Sequence, residues 1–219
     1  MSEGDYTFAD LPVPPIRPGT SVLLSGPTHA GTRQLAFRLL VGGDDEGTIV
    51  ITTNARARRV IEDCRTAGLT VGPDRTAVVD CVGDGDDDLP ARVVGVSGPA
   101  DLTGVGMRYS KLYRTFHEAG LDRVRTGVCS VSTLLSFSDL QTVSRFVHTM
   151  VGRIDSVDGF GVFLIDPETQ DARTVSTVGQ FCGARIEVRD GDAGPELRTR
   201  GLATGNGDWT PFDPRPGGP

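Results

Sequence analysis

Lysine is nearly missing from this 219-residue chain. Lys and Arg together number 22, and Lys111 is the only Lys. With a formal net charge of −7, the chain lacks the clustered cations that nonspecific nucleic-acid binding requires. The one local group, Arg56, Arg58 and Arg59, reads as the solvated face of a helix, so nucleic acid is not an expected partner. Aromatic residues make up only 6%, which leaves the core to Val, Leu, Ile and Ala. No apolar run is long enough to cross a bilayer. Residues 1–10 are polar and acidic and lack the apolar centre of a signal peptide. A membrane is therefore not expected, and the cytoplasm is the expected compartment. The four cysteines, Cys64, Cys81, Cys129 and Cys182, form no C-x-x-C pair, and none of the three histidines (His29, His117, His148) lies near one. That spacing excludes a zinc site, and no metal site is expected. Cys81 and Cys129 sit in apolar runs, where free Cys behaves as a small hydrophobe.

Among the acids, Asp far outnumbers Glu. An Asp-rich, Lys-poor surface is similar to those of halophilic proteins, because high salt screens the self-repulsion such a surface carries. The length suits one domain with a sizeable buried core. Residues 1–20, with Pro12, Pro14, Pro15 and Pro18, form an N-terminal approach segment. Residues 21–200 form the core, and 201–219 a Gly/Pro-rich tail in which Trp209 and Phe212 are the residues expected to pack.

Within the core, short apolar runs predict strands over 21–24, 48–52, 77–81, 92–96, 126–131 and 161–165. A closing pair spans 186–189 and 197–200, with a hairpin across 190–194. Between them, apolar residues at helical spacing predict helices. One follows Gly31 and stops at Gly42-Gly43. The next is capped by Asn54 and ends at Gly68. A third follows a turn at 101–106 and ends at Gly120, and a fourth starts at Asp139. The acidic run 83–88 reads as an exposed loop. Strands alternating with helices indicate an α/β fold, a mostly parallel central sheet with helices on both faces. Such sheets bind ligands at the carboxyl ends of their strands.

The first such end is Gly26-Pro27-Thr28-His29-Ala30-Gly31-Thr32-Arg33, the outline of a Walker A loop, G-x-x-x-x-G-K-[ST]. In that motif backbone N–H groups and a helix N-terminus cradle phosphate, Lys reaches the β/γ-phosphates and Ser/Thr binds Mg²⁺. Here the glycines keep their spacing, Thr32 stands at the Lys position and Arg33 at the Ser/Thr position. Two readings stay open, a weak anion-binding loop and a tight turn that binds nothing. In a shifted arrangement Arg33 would touch the phosphate and Thr32 would serve the metal.

The Pro-rich lead and Gly19-Thr20-Ser21-Val22-Leu23-Leu24-Ser25-Gly26-Pro27 resemble the opening of archaeal RecA/KaiC-like P-loop ATPases, the group that includes GvpD-like regulators. Asp101-Leu102-Thr103-Gly104-Val105-Gly106, Ser130-Val131-Ser132-Thr133-Leu134-Leu135, Phe163-Leu164-Ile165-Asp166-Pro167-Glu168 and Trp209-Thr210-Pro211-Phe212 resemble further landmarks of its haloarchaeal members. The resemblance runs over residues 15–213. It implies a RecA-like P-loop NTPase fold, nucleotide-dependent regulation, ATP or ADP with Mg²⁺ as the ligand, and frequent oligomers. It also places the Walker B Asp on Cys129, followed by Ser130. Cys129 is a thiol unsuited to hard Mg²⁺. The water-activating acidic pair falls on Thr52-Thr53-Asn54, which carries no carboxylate. Asp166 is the one acid in view that could substitute.

Phosphoryl transfer rests on positioning and charge stabilisation, so losing cation, metal ligand and base together points to a pseudo-ATPase with no catalytic residue. The expected function is regulation through a protein partner or a homo-oligomer. An ATPase using the shifted Thr32/Arg33 loop and a recombinase-like accessory protein are the alternatives.

Overall fold

The computed structural model describes residues 4–83, 88–202 and 207–215. Most of the expected acidic loop lies outside the described residues. A nine-stranded sheet runs in the order β4-β3-β2-β5-β6-β1-β7-β8-β9. Its strands are β1 (Ser21–Ser25), β2 (Glu46–Thr52), β3 (Thr76–Asp80), β4 (Arg92–Gly95), β5 (Arg123–Cys129), β6 (Phe160–Ile165), β7 (Ala184–Gly191), β8 (Gly194–Arg200) and β9 (Thr210–Pro211). Every pairing from β4 to β7 is parallel, and β8 and β9 close the sheet antiparallel. The helices are α1 (Thr32–Leu39), α2 (Ala57–Thr66), α3 (Leu102–Glu118), α4 (Val131–Phe137), α5 (Leu140–Asp155) and α6 (Ala172–Gly179).

Central strands such as β6 are buried along their whole length, as parallel strands covered on both faces must be. Alternate residues feed two cores. Val22, Leu24, Val50 and Val78 point toward α1 and α2, while Leu23, Ile49, Ile51 and Val79 point toward α3 and α5. The helices form where apolar residues fall on one face. In α5 these are Val143, Phe146, Val147, Met150 and Ile154, and the Asp139 carboxylate accepts from Thr142 N–H at the start. Helix α2 stops at Gly68 (φ +95°). The Gly68 and Leu69 N–H groups return to Arg65 and Cys64 carbonyls, the paired bonds of a Schellman ending.

The structure departs from the sequence reading in several places. Asn54 does not cap α2; the N-cap is Arg56, and the Ala57 N–H is taken by the Asp80 carboxylate. Helix α3 begins at Leu102, inside the expected turn, because Asp101 caps it through Gly104 N–H. Strand β5 spans Arg123–Cys129 rather than 126–131, since Ser130 caps α4. Helices α4 and α6 have no counterpart in the expected elements; α4 is only 7 residues long, and Val178 and Gly179 are the buried residues of α6.

The proline-rich N-terminal stretch packs into the core. Tyr6 is 0% and Ile16 1% exposed, and the two exchange backbone hydrogen bonds. Tyr6 lies under the guanidinium groups of Arg123 (4.2 Å) and Arg125 (5.1 Å). Glu46 bridges both arginines. With Arg125 3% and Glu46 8% exposed, the pair survives burial only because it is matched and further bonded. Arg125 also donates to the Leu39 and Thr7 carbonyls. Removing one partner strands the other charge, so Glu46→Ala is expected to cost about 3–5 kcal/mol, with Glu46→Gln milder. Urea unfolding of the three proteins measures it, and a loss below about 1 kcal/mol would place the pair with ordinary surface pairs.

Candidate functional site

The parallel register sets the ends of β1, β2, β5 and β6 along one edge of the sheet, and the loop 26–33 caps the end of β1. Gly26 N–H donates to the Ile165 carbonyl of β6. A Cβ at Gly26 would lie 2.7 Å from both Thr32 Oγ1 and Val188 Cβ, so only glycine lets the loop approach β7 this closely. Thr28–Ala30 form a 3₁₀ turn, and Gly31 adopts φ +78° before α1. Helix α1 opens with no side-chain cap and no acidic residue in its first turn.

The side chains at the edge are already engaged. Thr32 is 1% exposed, and its hydroxyl donates to the Pro27 carbonyl at 2.7 Å. Arg33 is paired with Asp63 of α2 through Nε (3.0 Å) and Nη2 (2.8 Å) and lies over the Phe37 ring. Asp63 is shared with Arg59. His29 lies on the exposed side, 3.9 Å from Glu168.

At the end of β2, Thr53 is 2% exposed. Its hydroxyl donates to the Ser130 carbonyl and accepts from Ser130 N–H, clasping the end of β5. Cys129 is buried there, and burial pushes its thiol up to about 11. Asp166, at the end of β6, accepts from the Thr28 hydroxyl (3.1 Å) and from Glu168 N–H (2.9 Å). Asp166 N–H donates to Ser132 Oγ.

These residues enclose a cleft of about 190 Å³, lined by Thr28, Thr32, Arg33, Asn54, Ser132 and Asp166 among others. That is below the roughly 300–1,000 Å³ of typical small-molecule sites. The structure thus brings Gly26, Thr28, Thr32, Arg33, Ser130 and Asp166 together. It turns His29 outward and keeps Cys129 beneath the edge.

The residues of the chain from 19 to 188 match one family model. The chain belongs to a family of unknown function, DUF7504. No curated protein matches it in sequence. Among solved structures it is similar to the KaiC-like protein PH0186 of the hyperthermophilic archaeon Pyrococcus horikoshii OT3. That likeness has a TM-score of 0.62 at 15% identity, over 88% of this chain and 84% of the other. It is equally similar to the uncharacterized protein PH0321 of Pyrococcus horikoshii, solved in complex with an unknown peptide (TM-score 0.63, 15% identity, 84% of each chain). The DUF7504 chain therefore has the RecA/KaiC-type α/β fold.

Three features of the edge escaped sequence reasoning. Asp80, 3% exposed at the end of β3, accepts from the N–H groups of Ala57, Val82 and Gly83. An acid closing an apolar strand was the available signal. Thr53 reads as a missing carboxylate in sequence and is a clasp in structure. The third is Pro214, whose Cβ lies 2.7 Å from where a Cβ on Gly31 would sit, a contact with no local sequence signal.

Two outcomes follow. Asp80→Ala removes the acceptor of one donor at the start of α2 and two in the turn after β3 and should cost about 2–4 kcal/mol, while Asp80→Asn, which keeps one acceptor oxygen, should cost less. Thermal melts of the two variants against the parent check the order. Alkaline pH is the second lever. Burial raises Cys129 to about 11 and Cys64 and Cys81 to about 12, from 9.0. It likewise raises Tyr6 and Tyr109 from 10.0 to about 12. Acids raised on folding favour the native state below their unfolded values and lose that contribution as pH climbs through the folded ones. The melting temperature should hold up to about pH 9 and fall between about 9 and 12; a flat profile there would contradict the burial.

Proposed function

We propose that this chain is a RecA/KaiC-like regulatory domain that does not hydrolyse nucleotide and acts by binding a protein partner, a second copy of itself included. The observation that carries this reading is the engagement of every position where hydrolytic chemistry would be needed. Thr32, at the place of a phosphate-binding cation, is turned onto Pro27. Arg33 is neutralised by Asp63. Cys129 is a buried neutral thiol. Thr53, in place of a general base, holds Ser130.

The donor set does not suit Mg²⁺, which demands octahedral oxygen ligation. Asp166 is the one carboxylate lining the cleft among the described residues, and it already accepts two hydrogen bonds. No hydrolytic step follows from such a site. A neighbour of the same fold, PH0321, was solved with a peptide bound, which supports partner binding as the retained use of the scaffold.

One observation favours a residual phosphate-binding role beside this. Helix α1 begins uncapped behind an αL glycine, and helix N-termini attract anions. ATP or ADP held there without turnover would serve as a signal rather than a fuel.

The test is ATP turnover in molar KCl with Mg²⁺, where release of phosphate should not exceed a blank. Arg33→Ala should leave any nucleotide affinity unchanged, because Asp63 already occupies the guanidinium. The protein should also co-purify in a stable, stoichiometric complex with its partner. Robust turnover that disappears in Thr32→Ala would sink the proposal.

A further inference from the structure

Helices α5 and α6 run in the same direction over one face of the sheet, because each returns between parallel strands. They share a core, to which α5 gives Val143, Val147 and Met150 and α6 gives Val178. Beside that core face, α5 carries Gln141, Ser144, Arg145 and His148. Their spacing of i, i+3, i+4 and i+7 makes one stripe along the helix. The stripe meets Thr174 and Thr177 of α6 across a cleft of about 680 Å³, inside the roughly 300–1,000 Å³ range of small-molecule sites. The cleft shares no lining residue with the one at the loop 26–33. It has an apolar group at each end, Leu140 where α5 begins and Phe181 beyond α6. The Phe181 ring meets His148 at 5.3 Å between centroids. From Gln141 to His148 the helix rises about 10 Å, the length of a small molecule rather than of an extended peptide.

Ser144 lines this cleft and is 8% exposed. Its Oγ is buried and has no hydrogen-bond partner among the described residues. Val143 and Val147 close the core side of the helix, so the cleft is the side from which a partner can reach it. A buried hydroxyl left unpaired is a standing cost to the fold. Charge adds a second observation. Arg145 and Arg173 both line the cleft, and the Arg145 guanidinium has no ion-pair partner among the described residues. One carboxylate, Asp171, is present, and it is committed to the Thr174 N–H at the start of α6 (2.7 Å). Two guanidinium groups against one capping carboxylate leave the cleft net positive, on a chain whose total charge is −7.

We propose that the cleft between α5 and α6 binds a small organic anion with an apolar body, its acidic group held by the Arg145 guanidinium and the Ser144 hydroxyl and its body set against Phe181 and His148. Each part of the ligand answers a feature of the cleft. An anionic oxygen supplies the acceptor that Ser144 lacks and the counter-charge that Arg145 lacks, and bonds to a charged group are the stronger kind. A flat or aliphatic body covers the half-buried Phe181 ring. Net positive charge disfavours a cation, and Asp171 leaves room for a single negative charge rather than several. This site does not depend on the reading of the loop 26–33, since neither its residues nor its chemistry involve the carboxyl edge cleft.

The experiment titrates the full chain with anilinonaphthalene sulfonate, an aromatic monoanion whose fluorescence rises on binding, in molar KCl. Saturable binding at one site is expected. It should weaken about tenfold in Arg145→Glu and by a smaller factor in Ser144→Ala. Arg145 is exposed, so its replacement leaves the fold intact. Ser144→Ala deletes an unpartnered group and should melt no lower than the parent, which a purely structural hydroxyl would not allow. Absence of saturable binding overturns the site. So does unchanged affinity in Arg145→Glu, which would put the probe on an exposed apolar side chain such as Phe137. A Ser144→Ala protein that melts lower and binds as before overturns it too, because the hydroxyl would then be serving the fold.

Discussion

The carboxyl edge of a parallel sheet leaves backbone groups beyond the last ladder bond, and each buried one without a partner costs about 1–3 kcal/mol. In this protein the polar side chains at that edge meet that demand. Thr53 serves both backbone groups of Ser130, Asp80 serves one N–H at the start of α2 and two in the turn after β3, Ser132 serves Asp166 N–H and Thr32 serves the Pro27 carbonyl. Hydroxyls suit this work because one atom both donates and accepts. The same saturation removes them from chemistry, since a group that completes the fold is not free to bind a ligand without exposing what it covers.

The amino edge of the sheet is organised by arginine, which explains how a chain with one lysine builds buried cationic contacts. The planar guanidinium offers several donors at once. Arg125 uses this to join Glu46, two carbonyls and two aromatic rings. Arg38 joins three carbonyls from both ends of the described chain. A lysine has the charge but not the fork. The scarcity of lysine is thus matched by structural use of arginine inside the protein as well as by the composition of its surface.

Most of the fold was legible in the sequence because its signals are local. Apolar runs marked eight of the nine strands, β1 to β8, and Asp139 and Gly68 marked helix ends where the structure has them. The misplaced elements are those decided by partners distant in sequence. Asn54 looks like a cap, but Asp80 reaches across from β3 to take the Ala57 N–H. Tyr6 reads as part of a proline-rich approach, yet it is buried under arginines more than a hundred residues away. At the site, spacing pointed to the loop 26–33 and to Asp166, which the structure brings together. It gave no view of Pro214 on Gly31, because contact between a C-terminal proline and an early glycine has no periodicity to betray it.

The side chains of the loop are embedded in packing, and this limits what other residues those positions could hold. A lysine placed at position 32 would start from a site 1% exposed, where the present hydroxyl sits against Pro27 and Gly26 leaves no slack toward Val188. Its ammonium would be desolvated before reaching any phosphate, at a cost that ordinarily neutralises such a group. A carboxylate at position 129 would occupy a place 1% exposed, beneath the Thr53 clasp, where burial outweighs the nearby Arg33 charge. A charge at either position therefore carries its own burial penalty, and Arg33, the cation nearest position 129, is already paired with Asp63. The edge is a set of mutually satisfied contacts, and that local consistency is what gives the loop one fixed arrangement.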